Sequence, residues 1–126
     1  MNIQKRPSIK ELSKKLREAK EILLINEGIF AEPSKNLGEL NKLDIETEEL
    51  WLLIQKLLTE IEPKDYTGTR PPQKAYEYQI LGSELFAFSW TSKLYGRNMY
   101  LKFVLRNNNF YLVSLHEDKP PKKRGI

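Results

Sequence analysis

Three side chains in the C-terminal quarter could share a reaction: Tyr100, Lys102 and His116. His116 is the single histidine of the chain, and imidazole is the side chain that exchanges a proton near neutral pH. A phenol and an ammonium two residues apart share a face if their segment is a strand, because side chains alternate along it. The question is whether a second strand carries His116 to that same face.

The flanking sequence, MYLKFVLRNNNFYLVSLHE, consists of two strand-like runs around Asn107-Asn108-Asn109. Asparagine tolerates positive φ and bonds its own backbone, so the triplet signals a turn. A three-residue loop sets Arg106 against Phe110, with Asn109 in the left-handed position. Leu101, Phe103 and Leu105 then face Leu115, Val113 and Tyr111. On the opposite face Tyr100 meets His116, Lys102 meets Ser114, and Val104 meets Leu112. A two-residue loop would set Leu101 against Ser114 and divide the apolar set between faces. Because a one-residue slip exchanges faces, the three-residue register is preferred. It converges a phenol, an ammonium and an imidazole on one patch.

Which elements hold this hairpin? The chain has 126 residues, enough for one domain with a real core. Ser8 and Glu11 form a capping-box pattern, and Ile9, Leu12, Leu16, Ala19 and Leu23 follow at helical spacing, predicting a helix over 8–25. Residues 26–33 read as a loop. Ser34 opens a short helix carrying Leu37 and Leu40. A stronger helix starts at Asp44–Thr47 and ends at Pro63, with Leu50, Trp51, Leu53, Ile54, Leu57 and Leu58 on one broad apolar face. Residues 65–72 are rich in breakers. Strand character begins at Tyr76, and Phe86, Phe88 and Trp90 alternate onto one face. Helices first and strands later predict an α+β domain over 1–118, its helices on one face of a small antiparallel sheet. Residues 119–126 read as a disordered basic tail. The expected core includes Leu50, Trp51, Ile54, Leu57, Phe86, Phe88, Leu101, Phe103 and Val113.

With no cysteine, disulfides and thiolate zinc sites are excluded, and one histidine excludes a histidine-rich metal site. No glycine pattern cradles phosphate. No apolar run suggests a leader or a membrane span, which points to the cytoplasm. The net charge is +4, with Lys and Arg outnumbering acids seven to three over 1–25 and eight to three over 84–126. Such a distribution suits a polyanion such as RNA.

The order of the motifs carries a family resemblance. Asn36-Leu-Gly-Glu-Leu40 is followed by a helix, the pair Asp65-Tyr66, and a strand of form E-L-x-x-F from Glu84 to Phe88. Gly96-Arg-Asn-Met-Tyr-Leu-Lys102 and Ser114-Leu-His-Glu-Asp118 close the pattern. Over roughly residues 6–119 this resembles the MqsR family of type II toxins, whose fold is similar to that of RelE. The resemblance implies a metal-independent endoribonuclease, an mRNA interferase needing no cofactor and neutralised by a cognate antitoxin. It also implies active-site roles for a tyrosine and a basic residue at the positions of Tyr100 and His116. The last-strand position carries lysine in the best-known member and histidine here. A family lysine after the Asp-Tyr pair has no lysine counterpart; Arg70 is the nearest cation. A family glutamine falls near Glu84 or Leu85.

Metal-free RNA cleavage requires an acid, a base and cations for the charge on phosphorus. The expected assignments are His116 as acid or base, Tyr100 orienting phosphate or stacking a base, and Lys102 stabilising charge. Glu84 is a further catalytic candidate, and Arg70, Arg97 and Arg106 are the expected RNA contacts. The competing expectation is a non-catalytic RNA-binding or protein-interaction module with the same fold.

Overall fold

The structure, a computed structural model, describes residues 6–119. The expected basic tail, except for Lys119, lies outside the described residues.

Helix α1 (Ile9–Ile25) begins as its sequence predicts: the Ser8 hydroxyl accepts from the Glu11 amide at 3.1 Å. The Glu11 carboxylate takes another partner, Arg6, instead of closing the capping box. Leu12, Leu16, Ala19 and Leu23 are buried on one stripe. Helix α2 (Pro33–Leu43) ends at Asp44, which adopts the left-handed conformation. Helix α3 (Thr47–Glu60) buries Leu50, Ile54, Leu57 and Leu58. Trp51, expected in the core, is only half-buried, its ring against Phe30 and Phe110.

The loop expected over 26–33 contains a two-residue strand, β1 (Ile29–Phe30). With β2 (Phe86–Ser92), β3 (Arg97–Arg106) and β4 (Asn109–Glu117) it makes a four-stranded sheet of order β1-β4-β3-β2. The pairs β2–β3 and β3–β4 are antiparallel and β1–β4 is parallel. The fold is therefore α+β, with a mixed sheet in place of the expected antiparallel one. Beyond β1, side chains of α2 replace a strand neighbour along β4. The Asn36 amide donates to the Val113 carbonyl at 3.0 Å, and Glu39 accepts from the Leu115 amide at 3.2 Å. Backbone groups that would stand open at a sheet edge are thereby satisfied.

The β3–β4 hairpin combines both registers weighed from the sequence. Its loop has two residues: Asn107 and Asn108 have φ of 51° and 63°, and Asn109 pairs with Arg106. Two successive left-handed residues match the twist of the flanking strands, so the expected three-residue loop is not adopted. Phe103 accordingly pairs with Leu112. Between Lys102 and Phe103 the register shifts, and from there Lys102 pairs with Ser114, Leu101 with Leu115, and Tyr100 with His116. Val113 is the extra residue, a β-bulge. The bulge reconciles the favoured turn with face segregation: Phe110, Leu112 and Leu115 all reach the main core.

That core lies between the sheet and the three helices. Phe103 is fully buried at its centre, with ring centroids 5.1 Å from Phe110, 5.9 Å from Phe88 and 6.3 Å from Phe86. Strand character is expected from Tyr76, but residues 73–85 form a loop over the other face, and the first long strand starts at Phe86. Ala75, Ile80 and Leu85 there bury Val104 and Val113 in a smaller cluster. They cover one end of that face, leaving the Tyr100 end open. At the α3 terminus, Glu60 accepts from the Trp90 indole at 2.9 Å, the Ser92 hydroxyl at 2.7 Å and the Leu94 amide at 2.9 Å. One carboxylate so ties α3 to the β2–β3 turn. Burial works against its charge, but the donated hydrogen bonds outweigh this and hold Glu60 below the ordinary carboxylate range.

Candidate functional site

Strand alternation puts Tyr100, Lys102 and Val104 on the face away from α1 and α3, and the bulge returns His116 to that face. The expected encounter is present: the Tyr100 and His116 rings stack with centroids 4.9 Å apart and planes 20° apart. His116 Nδ1 lies 2.8 Å from the Glu117 carbonyl oxygen. That geometry suits Nδ1–H as donor, an assignment made from the hydrogen bond, and leaves Nε2 as the exchanging nitrogen. Nε2 has no hydrogen-bond partner among the described residues.

Two further residues complete the row. Ser89 on β2 pairs with Tyr100, and its hydroxyl donates to the Asp118 carboxylate. Asp118 stays in the ladder through its amide, which donates to the Asn98 carbonyl at 2.9 Å. Tyr100 thus lies between an imidazole and a carboxylate. Burial first, then the Asp118 and Glu39 charges, push its hydroxyl above the ordinary tyrosine range, making it a neutral hydrogen-bond donor and not a base. Glu39 is fixed by the Ser114 hydroxyl at 2.6 Å and the Leu115 amide.

Cations stand nearby on different terms. Lys102, half-buried beside Ser114, has no ion-pair partner among the described residues. Arg97 is shared: it pairs with Glu117 at 3.2 Å and lies over the Tyr95 ring at 5.7 Å. An open cleft of about 410 Å³ brings Arg97, His116 and Glu117 together with Glu39 and Lys42. No group of three or more His, Cys, Asp or Glu among the described residues is placed to hold a metal ion.

The remaining candidates are elsewhere. Glu84 receives two hydrogen bonds from Arg6, at 2.7 and 2.9 Å, and lies 4.0 Å from Lys74. The hydrogen bonds from Arg6 outweigh burial and hold it below the ordinary carboxylate range. Glu84 is thus an anchor for the segment before α1, and the sheet register sets it away from the Tyr100 row. Arg70 is likewise engaged, over the Tyr66 ring at 5.2 Å and on the Pro7 carbonyl. Arg106 is at the turn end of the hairpin, holding the Leu81 carbonyl at 3.2 Å and Ser83 at 3.3 Å.

Sequence reasoning missed Ser89, Asp118 and Glu39. The first two were readable: Ser89 falls in the polar phase of Phe86–Trp90, and Asp118 follows His116 by two. Glu39 carries no local signal, since its partners are on β4.

No family model matches the chain, and no curated protein or solved structure matches it. Among the described residues, no helix is long and apolar enough to cross a membrane.

Proposed function

We propose that this chain is a metal-independent endoribonuclease resembling the MqsR toxins, an mRNA interferase working in the cytoplasm and held in check by a cognate antitoxin. The observation that carries the reading is the stacked Tyr100–His116 pair, half-buried on the sheet face away from α1 and α3, with Nε2 of the imidazole lacking a partner among the described residues. RNA supplies its own nucleophile. The 2′-hydroxyl loses its proton and bonds to the adjacent phosphorus, and the bond to the 5′-oxygen breaks as that oxygen gains a proton. The products are a 2′,3′-cyclic phosphate and a 5′-hydroxyl. Acting as the acid, His116 gives its Nε2 proton to the 5′-oxygen, and the Asp118 carboxylate, beside Ser89 and Tyr100, is suited to accept the proton of the 2′-hydroxyl. Tyr100 donates to a phosphate oxygen, and Lys102 opposes the charge that builds on phosphorus.

The wild type is expected to cut single-stranded RNA at the same rate in chelator and in magnesium. General acid–base groups contribute roughly 10²–10⁴-fold, so His116→Ala should slow cleavage by that order with an unchanged melting temperature. A variant as fast as wild type would remove His116 from the chemistry.

A second reading is favoured by the carboxylates of Glu39, Glu117 and Asp118 around the pair, of which Glu117 occupies Arg97. They suit a non-catalytic module that binds a basic protein partner. A wild type that neither cuts nor binds RNAs of varied sequence would select that reading.

A further inference from the structure

Two rings on the loop over 73–85 have no role in the fold. Tyr76 is 80% exposed and Tyr78 is 95% exposed, on either side of Glu77. Isolated exposed apolar residues are ordinary, but these two stand on a clamped support. The Ala75 amide donates to the Ser83 carbonyl at 2.7 Å, Gly82 to Ala75 at 2.9 Å, and Leu85 to Gln73 at 2.8 Å. Ala75 and Ile80 are buried against Val104 and Val113. Packing therefore anchors the loop and leaves both rings in water.

The surroundings are basic and unfinished. Lys74 precedes Tyr76 and is exposed, Arg106 is pinned to the loop by Leu81 and Ser83, and Lys102 lies on the same sheet face two residues from Val104. The nearby Glu84 is shared between Arg6, at 2.7 Å, and Lys74, at 4.0 Å. Glu77, between them in sequence, has its Oε1 buried with no hydrogen-bond partner among the described residues. Such an acceptor is a standing cost until a donor reaches it. From Val104, under the loop, to Tyr100 is four residues of strand, about 13 Å.

We infer that Tyr76 and Tyr78 are a stacking platform for bases of the single-stranded RNA whose phosphate lies at Tyr100 and His116. Every base offers a π face to an aromatic ring, and cations beside the ring take the backbone charge. A turn of Glu77 toward the bound base would give its carboxylate an exocyclic amino donor. This rests on the proposed function and adds to it the surface that reads the strand.

The test uses the full chain and a fluorescent 2′-O-methyl oligonucleotide, which lacks the nucleophile and is not cut. Stacking is worth about 5- to 150-fold in affinity per base. The Tyr76→Ala/Tyr78→Ala protein should bind at least about 10-fold more weakly by anisotropy, whereas Tyr76→Phe/Tyr78→Phe should match wild type. Abasic sites in the strand should weaken wild-type binding and leave the alanine variant unaffected. Equal binding by the alanine variant overturns the inference, as does a wild type that binds no RNA; the rings would then suit a protein partner. Loss of binding in the alanine variant together with a wild type that never cuts RNA supports the platform and removes the ribonuclease reading.

Discussion

The two faces of β3 show what one alternating strand can divide. Leu101 and Phe103 are fully buried under the helices, while Tyr100 and Lys102, which alternate with them, are half-exposed. The helical face is closed on itself: Phe103 has aromatic neighbours on both adjacent strands. The other face is built from groups that hydrogen-bond and titrate, and it is covered only at the Val104 end. Stability is concentrated on the first face and chemistry on the second, within one backbone.

Substitutions at matched positions test this division. Phe103→Ala empties the middle of an aromatic row and should cost about 3–5 kcal/mol in urea unfolding. A loss below about 1 kcal/mol would mean that the helical face collapses readily around the gap. Glu60→Gln, at the edge of the core, should cost about 1 kcal/mol at neutral pH, since hydrogen bonds to a partly exposed charge are weakened by solvent. Because folding holds Glu60 below its ordinary value near 4.5, the folded state binds fewer protons there than the unfolded chain. Its contribution is complete above that ordinary value and disappears as pH falls through the lower, folded one. Melting curves from pH 7 to pH 3 should therefore fall less steeply for Glu60→Gln than for wild type; parallel curves would free Glu60 from this role. On the open face, His116→Ala should change unfolding free energy by less than about 0.5 kcal/mol. A larger loss would make the Tyr100–His116 stack a structural element and blur the contrast between the faces.

The apolar stripes of α1 and α3 were legible because helical period and burial coincide within a single segment. The Tyr100–His116 encounter was legible for a related reason. Face segregation is a property of two adjacent strands, and any register that kept Leu101 and Leu115 together also brought these two into contact. The loop length was misread because both registers occur, one on each side of Val113. Face segregation reports only their sum, and the bulge absorbs the difference. Residues 73–85 carry two tyrosines and Ile80 yet pack as a loop, since what decides their state is the patch at Val104 and Val113 that they cover.

By itself the sequence determined which residues share a strand face, which helix stripe is apolar, and that one imidazole would stand beside one phenol. These follow from backbone periods that act over a few residues. The tertiary structure alone decided that Glu84 belongs to Arg6, Arg70 to Pro7 and Tyr66, and Arg106 to the 73–85 loop. It alone brought Asp118 to Ser89 and Glu39 to β4. The last-strand contacts of Glu39 span 75 and 76 residues. A charged side chain reaches whichever partner the fold delivers, and no local period records that choice.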